Sequence, residues 1–370
     1  MLFRQLKWAA FALLIGAGLA SCSDDPSPGI PPVTPQYTGT AAYVVNQGNM
    51  SNKLPGSIDM LDLGSQSVTS GVFYQVNGQH LGDTPQAGVR YESSLLVPVY
   101  GSDCVWVIDA ATLQKVAQLK VDDPEAACAA EGYVFAASND GYVVRFDAKT
   151  MVQAGDHLEV GPNPAGMAVS NGTVYVTISD GYNYEGDNPY GNGKKVVAID
   201  AKTFTKKAEY AVGLNPGQLF TNSKGEVYLI ARGNYANIQS TVQKIGTDGK
   251  VSDCFSGFMM TMSNDTLYVL SIAYDANYKP VTSSIWYDTI SGTSGEGFLD
   301  NANLPVNPIA IDVNPVNGHI FVCSRKSTSY DAYSQPGCVY EYRGLKEGSL
   351  KGTHVHTYDV GVEPYSVAFK

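Results

Sequence analysis

The sequence predicts an all-β fold, a seven-bladed β-propeller built from four-stranded blades. Three observations predict it. A proline-led segment recurs along the chain, strand-like segments follow each copy, and the first and last units are incomplete in complementary ways. Several short strands in a regular repeat are typical of propellers.

The repeat unit begins with a proline and a short apolar run, and it returns roughly every 40 to 55 residues, which is a propeller-like period. The copies are TPQAGV, DPEAAC, NPAGMAV, NPGQLF, NPIAID and EPYSVAF, at Pro85, Pro124, Pro164, Pro216, Pro308 and Pro364. A degenerate copy, GFMMTM from Gly257, fills the gap near the middle.

Each start leads into further strands. The second strand is rich in aromatic and β-branched residues, as in LLVPVY, YVFAAS, TVYVTI and HIFVCS, a composition that favours β-structure. A third strand often ends in Asp, as in YVVRFDAKTM and KVVAIDAKTF, and the Asp predicts a tight turn into a fourth strand such as KKAEYAV.

The two ends of the chain predict how the ring closes. AAYVVNQG near the N-terminus corresponds to a second strand that lacks a first, and EPYSVAF at the C-terminus is a first strand with nothing after it. Pairing them completes a seventh blade and leaves no sheet edge exposed there. Residues 41–370 then form one domain. The alternative, a long β-sandwich, gives no reason for the two orphan strands to be complementary.

The N-terminal residues predict a lipoprotein leader. Arg4 and Lys7 precede an apolar stretch that is short for a membrane span, and residues 19–22 read Leu-Ala-Ser-Cys, which resembles a bacterial lipobox. Residues 1–21 are then a signal peptide, Cys22 is the lipidated residue, and residues 22–40 form a Pro-rich tether. The alternative is an ordinary secreted protein with a chance cysteine. The Ser-Asp-Asp that follows Cys22 resembles an export signal to the cell surface, on the outer membrane.

Charge and composition exclude some functions. A net charge of −11 argues against nucleic acid and against direct adhesion to anionic lipid. Charged residues are only 16% of the chain, whereas there are 24 tyrosines and 38 glycines. This composition favours strands, turns and uncharged recognition.

Five cysteines follow Cys22, so at least one stays unpaired within a monomer. Cys323 and Cys338 end one predicted strand and begin the next, and we expect them to form a disulfide. Cys104, Cys128 and Cys254 are expected, by default, to be free and buried.

The functional residues are predicted on one face. In a four-stranded blade, the loops between strands two and three open on the same face as the connections between blades. Five units carry long insertions there, at 48–56, 181–193, 232–240, 273–284 and 325–337, and the units at Pro85 and Pro124 carry short ones. We call this face the crown, and we expect it to be lopsided, with an open side.

The crown concentrates tyrosine and asparagine, which suit a large, polar, mostly uncharged ligand. Arg232 and Arg325 stand at the roots of two insertions, where a guanidinium could bind a phosphate or carboxylate. The alternative is that these residues only order the turns. The predicted ligand-binding residues are Tyr182, Tyr184, Asn188, Tyr190, Arg232, Asn234, Tyr235, Tyr274, Tyr278, Arg325, Tyr330 and Tyr333.

Catalytic and metal-binding patterns are scarce. No Gly-rich phosphate loop, nucleophile elbow or HExxH occurs in the sequence. His354 and His356 are expected to share one face of an outer strand, as solvated residues. The sequence therefore predicts no metal site, no catalytic residue and no cofactor.

The scaffold resembles a known family. NPAGMAVSNGTVYVT followed by VVAIDAKT resembles the YncE-like propellers, and VVNQGNMSNKLPGSIDMLDL followed by VNGQHLGDTPQ looks like a surface-lipoprotein branch of that family from the Bacteroides group. That branch includes the cobalamin-capturing lipoproteins of the BtuG type. The resemblance implies capture of cobalamin or a related corrinoid and its transfer to a TonB-dependent, BtuB-like transporter. The scaffold motifs match, but no ligand signature is matched residue by residue.

Two other functions stay open at the level of sequence. Tyrosine platforms also stack on sugars, so a glycan-binding or adhesin-like module is one alternative. The other is a propeller enzyme, a quinone-dependent dehydrogenase or a lyase, and a cluster of His, Arg and carboxylates in the central channel would favour it.

Overall fold

The computed structural model describes residues 38–179, 193–234, 237–274, 280–344 and 352–370. These residues form 28 β-strands and one short α-helix, α1 (Val72–Asn77). The strands are β1 (Ala41–Asn46), β2 (Ser57–Asp62), β3 (Ser67–Thr69), β4 (Val89–Tyr91), β5 (Ser94–Val99), β6 (Cys104–Asp109), β7 (Lys115–Lys120), β8 (Pro124–Ala130), β9 (Tyr133–Ser138), β10 (Tyr142–Asp147), β11 (Leu158–Glu159), β12 (Pro164–Ser170), β13 (Thr173–Ile178), β14 (Lys195–Asp200), β15 (Thr205–Ala211), β16 (Pro216–Thr221), β17 (Val227–Ala231), β18 (Thr241–Ile245), β19 (Val251–Ser256), β20 (Met259–Ser263), β21 (Thr266–Tyr274), β22 (Pro280–Asp288), β23 (Ser294–Glu296), β24 (Asn307–Val313), β25 (Ile320–Arg325), β26 (Pro336–Arg343), β27 (Thr353–Val362) and β28 (Pro364–Phe369).

The strands form seven antiparallel sheets of four strands each, so the predicted seven-bladed propeller is confirmed. From the inner to the outer strand the blades are β28-β1-β2-β3, β4-β5-β6-β7, β8-β9-β10-β11, β12-β13-β14-β15, β16-β17-β18-β19, β20-β21-β22-β23 and β24-β25-β26-β27. We number them blades 1 to 7 in this order.

The ring closes as the sequence predicts, because the last strand pairs with the first. β28 runs antiparallel to β1, from Ala42 opposite Phe369 to Asn46 opposite Pro364. The backbone N–H of Thr38 also donates to the Lys370 carbonyl at 2.7 Å. The incomplete units at the two ends of the sequence therefore complete blade 1.

In five blades the proline that opens the repeat is the first or second residue of the inner strand, whereas Pro85 lies four residues before β4. Proline has no N–H to give to a ladder, so it suits a strand edge and a bulge. The register is irregular just after Pro124, Pro164, Pro216 and Pro308. The residue before the proline has a positive φ in five blades, at Thr84, Asp123, Asn163, Asn215 and Glu363.

The turn between the third and fourth strands is a repeated device. In five blades the last Asp of the third strand accepts hydrogen bonds from the backbone N–H groups two and three residues later, at 2.8 to 3.0 Å. These residues are Asp62, Asp109, Asp147, Asp200 and Asp288. The predicted Asp turns are confirmed.

The hydrophobic core lies between neighbouring blades. Phe135 of blade 3 packs on Phe204 of blade 4 with ring centroids 6.0 Å apart, and Phe321 of blade 7 packs on Phe369 of blade 1 at 5.2 Å. Burial of such rings favours the closed ring, because each blade covers the apolar face of the next.

The predicted disulfide between Cys323 and Cys338 is wrong, since both residues are free thiols. Cys323 lies opposite Val339, and Cys338 lies opposite Ser324. Successive side chains on a strand point to opposite faces, so this one-residue offset places the two sulfur atoms on opposite sides of the sheet. Cys104 and Cys128 are free and buried, as expected, whereas Cys254 is free but exposed.

Two features differ from the sequence-based expectation. The insertion predicted at 273–284 is largely a longer hairpin, because β21 and β22 stay paired as far as Tyr274 opposite Pro280. Helix α1 lies in the connection from blade 1 to blade 2 and was not predicted. Among the described residues, no helix is both long enough and apolar enough to cross a membrane.

Candidate functional site

The strand directions place the loops between strands two and three at the same end of every blade as the blade connections. Contacts confirm that loops from different blades meet there. The Asn49 side chain donates to the carbonyl of Tyr333 at 2.8 Å, and Asn52 hydrogen-bonds Ser334. The crown is therefore one continuous surface where blade 7 adjoins blade 1.

The lopsided crown is confirmed as far as the structure describes it. The loops of blades 2 and 3 occupy only 100–103 and 139–141, whereas those of blades 1 and 7 occupy 47–56 and 326–335. Tyr274 is placed by its backbone at the end of β21. Six predicted ligand-binding residues lie outside the described residues, and so does Cys22: Tyr182, Tyr184, Asn188, Tyr190, Tyr235 and Tyr278.

Two predicted tyrosines form an exposed aromatic pair on blade 7. Tyr330 is 92% exposed, Tyr333 is 44% exposed, and their ring centroids are 6.0 Å apart. A short 3-10 turn, Tyr330–Ser334, carries both. Large side chains this exposed gain little from packing within the protein, so they are available to an external partner.

Arg325 holds the inner tyrosine of this pair. Its guanidinium carbon lies 3.9 Å from the centroid of the Tyr333 ring. Its Nε and Nη2 atoms donate to the two carboxylate oxygens of Glu363, at 2.5 and 2.7 Å. Cation–π contact and a bidentate ion pair fix the ring plane. Two of the five Arg325 donors are therefore occupied, and its predicted role in binding an anion stays a prediction.

Asn234 orders its own loop. Its side chain donates to the Asn237 side chain at 2.7 Å and accepts from the Ile238 N–H at 2.9 Å. These bonds are what the turn-forming alternative predicts for an asparagine in a loop. A contact between Asn234 and a ligand stays a prediction.

Arg232 reaches the crown mouth of the central channel. Its guanidinium crosses the inner strand of its own blade, and a Cβ on Gly217 would come within 3.0 Å of the Arg232 Nε. The pKa of Glu125, on the inner strand of blade 3, is raised to about 7 by burial and by Asp123, although the Arg232 charge opposes the shift. An arginine and a carboxyl group that titrates near neutral pH thus lie at the channel mouth.

Several of these residues were missed at the level of sequence, namely Glu363, Glu125, Asn49 and Asn52. Glu125 and Glu363 flank the repeated proline, one after it and one before it. Since both positions recur in every proline-led copy of the repeat, the repeat itself was a signal for them. No local pattern indicated the partner of either residue.

His354 and His356 do not share one face of their strand. β27 carries an extra residue, so that His354 lies opposite Tyr342 and His356 opposite Glu341. The expectation that these two histidines share a face is therefore wrong, because the bulge reverses the alternation. No group of three or more His, Cys, Asp or Glu residues within the described part of the chain could hold a metal ion.

Comparison with known proteins shows the fold alone. No family model and no curated protein sequence matches the chain. Among solved structures, a quinonprotein alcohol dehydrogenase-like protein from Bacteroides thetaiotaomicron is similar, with a TM-score of 0.63 and 16% identity over 90% of this chain and 79% of that one. Hydrazine synthase of Kuenenia stuttgartiensis has a TM-score of 0.59 and 16% identity, covering 74% of this chain and 86% of that one. The Pan2 WD40 domain of Neurospora crassa has a TM-score of 0.53 and 10% identity, over 76% and 80%.

Proposed function

We propose that this protein is a binding protein whose crown captures a large, polar, mostly uncharged ligand, and that the ligand is cobalamin or a related corrinoid. One observation carries the proposal. Tyr330, the most exposed aromatic side chain among the crown residues that the structure describes, stands beside a second tyrosine that is held by a mostly buried ion pair. A rigid aromatic surface loses little conformational entropy when a ligand packs on it.

The chemistry of a corrinoid fits such a surface. The ring is broad and carries amide groups at its edge, so aromatic faces can pack on it while asparagine and tyrosine pair with the amides. Its nucleotide tail carries a phosphate, for which Arg232 at the channel mouth is the better-placed cation because Arg325 already binds Glu363.

The leader and the resemblance support a place on the cell surface. We propose that Cys22 carries a lipid anchor on the outer membrane and that the propeller passes its ligand to a TonB-dependent, BtuB-like transporter. Radiolabelled palmitate should enter the protein, and a Cys22→Ser variant should not be labelled. Equal labelling of the variant would contradict the anchor.

The binding proposal is tested by titrating cyanocobalamin into the chain from Ser23 onward, followed by calorimetry and by the ligand's visible spectrum. We expect saturable binding at micromolar concentration. Replacing Tyr333 or Tyr330 with Ala should weaken it by roughly fivefold or more, because truncation of an aromatic anchor costs about 1 kcal/mol or more.

A matched control comes from Val116, which is 56% exposed on an outer strand away from the crown. Val116→Ala should leave the affinity unchanged. Absence of binding by the folded protein rules out cobalamin as the ligand. Binding that survives both tyrosine substitutions would move the site away from this aromatic pair.

A glycan is the second candidate, and the same observation favours it, since adjacent tyrosine rings also stack on sugar faces. A glycan array and a corrinoid pull-down with the same protein separate the two. Retention on the array that Tyr330→Ala abolishes, together with no corrinoid retention, would replace the first proposal with this one.

We infer a binding role in preference to catalysis. Among the described residues at the channel mouth, Glu125, whose pKa is raised to about 7, has the ionisation that a general acid or base needs. All five histidines, however, lie in connections, turns or outer strands. If Glu125→Gln were to abolish turnover of any alcohol or glycan substrate, the protein would have to be reclassified as an enzyme.

A further inference from the structure

A cavity of about 350 Å³ lies beside helix α1, in the connection from blade 1 to blade 2. Strand β2, helix α1 and the segment that follows the helix supply its walls. None of its described lining residues belongs to the innermost strand of a blade, so the cavity is separate from the central channel. Pro55 and Gly56 end the crown loop at 47–56 and line one edge of the cavity, whereas Tyr330 and Tyr333 do not line it.

The floor of the cavity is apolar and is held in place by packing. Ile58, Phe73 and Leu81 line it, and each is at most 2% exposed. Phe73 packs on Trp106 of blade 2 with ring centroids 5.6 Å apart, and the indole N–H of Trp106 donates to the Leu81 carbonyl at 2.7 Å. Walls that are already fixed lose little conformational entropy when a ligand enters.

A buried carboxylate fixes the start of helix α1, which forms one wall. Asp59 is 1% exposed, and its two oxygens accept the backbone N–H groups of Gly71 and Gly361, each at 2.8 Å. Gly71 has a φ of 63°, in the left-handed region that favours glycine. The helix is therefore tied to β2 in its own blade, and the same carboxylate joins β2 to β27 of blade 7.

Two aromatic rings form the rim of the cavity. Tyr74, on α1, is 51% exposed, and its ring stacks on His80 with centroids 4.7 Å apart and an interplanar angle of 29°. Both side chains line the cavity. A flat aromatic ligand gains stacking energy on such a ring face in addition to the burial of its surface.

Gln75 supplies an oriented acceptor at the same cavity. Its side-chain N–H donates to the Ser70 carbonyl at 2.7 Å, which directs the amide oxygen away from that carbonyl. None of the described residues that line the cavity is an Asp, Glu, Lys or Arg. Burial of a charged ligand against such walls would cost free energy, so they favour an uncharged ligand with an N–H or O–H donor.

We propose that this cavity binds a small, uncharged, planar aromatic molecule that carries one hydrogen-bond donor. The ligand ring packs between the apolar floor and the Tyr74 ring, and its donor pairs with the amide oxygen of Gln75. Indole is a simple member of this class. The site is separate from ligand capture at the crown and does not depend on it.

The test uses 5-fluoroindole and 5-fluoro-1-methylindole, which lacks the N–H donor. Each is added to the chain from Ser23 onward, and binding is followed by ¹⁹F NMR. The first compound should bind with a Kd of ~1 mM or below, as expected for a ligand of this size in a preformed cavity. The methylated compound should bind about fivefold more weakly or worse, because it cannot donate to Gln75.

Gln75→Leu separates the hydrogen bond from the added bulk of the methyl group. It should weaken 5-fluoroindole about fivefold and change the affinity for the methylated compound by no more than about twofold. Tyr74→Ala removes the stacking ring and should weaken 5-fluoroindole about fivefold or more.

Val76→Ala is the matched control, because Val76 is also on α1 and 45% exposed but does not line the cavity. It should leave both affinities unchanged. Tyr330→Ala, on the crown, should also have no effect on 5-fluoroindole. Tyr74, Gln75 and Val76 are all exposed, so each variant should melt at the temperature of the unmodified protein.

Three results would overturn the proposal. They are unchanged affinity in Tyr74→Ala, an equal loss for both compounds in Gln75→Leu, and a loss in Tyr330→Ala as large as that in Tyr74→Ala. No binding of 5-fluoroindole up to its solubility limit would also overturn it.

Discussion

The two faces of the propeller are built in opposite ways. On the face away from the crown, five blades make the same turn, in which one Asp accepts two backbone N–H groups. On the crown the blades differ from one another. Blade 6 carries an extended hairpin, and blades 1 and 7 carry 3-10 turns that contact each other. Blades 2 and 3 carry only the short loops 100–103 and 139–141.

The difference shows where this fold tolerates variation. A short turn fixes the register of two strands, so a repeat that keeps its turns keeps its blades. The loops at the crown bear no such constraint, and binding residues can accumulate there. Ring closure belongs to the constrained part of the molecule, whereas the aromatic pair of blade 7 belongs to the variable part.

The largest expected effect is on ring closure. Phe369→Ala should lower the free energy of unfolding by about 4 kcal/mol, because the ring is buried against Phe321 in the next blade. Tyr330→Ala, on the crown, should change it by less than about 0.5 kcal/mol. Chemical denaturation of the two variants measures both. Similar losses would mean that the faces do not differ in this way.

One contact on the crown should be an exception, because its loss should lower stability by a large amount. Glu363→Ala leaves Arg325 without its bidentate partner in a site where both side chains are mostly buried, and should cost about 3 kcal/mol. Lys326→Ala removes an exposed ion pair with Asp359 close by and should cost almost nothing. If thermal melts show no difference between the variants, the Arg325 pair does not anchor the crown.

The stability contributed by the carboxyl of Asp312, on the inner strand β24, and that contributed by the carboxyls of the Asp turns should change with pH in opposite directions. The pKa of Asp312 is raised to about 7 by burial, so the folded state holds its proton more tightly than the unfolded state does. Its contribution to stability is complete below about pH 4 and is lost as the pH rises through about 7. We expect stability to fall by about 2 kcal/mol between pH 5 and pH 8.

The turn carboxyls have lowered pKa values, and hydrogen bonds from the third residue after each Asp are the largest cause. Their contribution is present above about pH 4 and is lost below it. Asp312→Asn should flatten the alkaline side of the stability profile and leave the acid side unchanged. A variant that follows the wild-type profile from pH 5 to pH 8 would show that Asp312 is not the group responsible.

The smallest expected effect is at a single turn. Asp109→Ala removes the acceptor for the N–H groups of Ala111 and Thr112 and should lower the Tm by roughly 1 to 3 °C. Asp331→Ala, an exposed crown carboxyl, is the control and should leave the Tm unchanged. A larger shift for Asp331 than for Asp109 would reverse the comparison.

The contrast also explains which parts of the molecule the sequence could predict. The inner strands that begin near a proline and the Asp turns were predictable, because each depends on a few consecutive residues. The pair of Arg325 and Glu363 spans 38 residues, and Glu125 and Arg232 come from different blades, so only the closed ring brings them together. The predicted disulfide between Cys323 and Cys338 was wrong because of the strand register. Two residues at neighbouring strand ends can still point to opposite faces of the sheet.

Hydrogen exchange with and without cyanocobalamin tests the central claim, ligand capture at the crown, most directly. Bound ligand should slow amide exchange in the loops at 47–56 and 326–335, and the Asp turns at 109–112 and 147–150 should not change. Slower exchange confined to the turns, or no change at saturating ligand, would contradict capture at the crown.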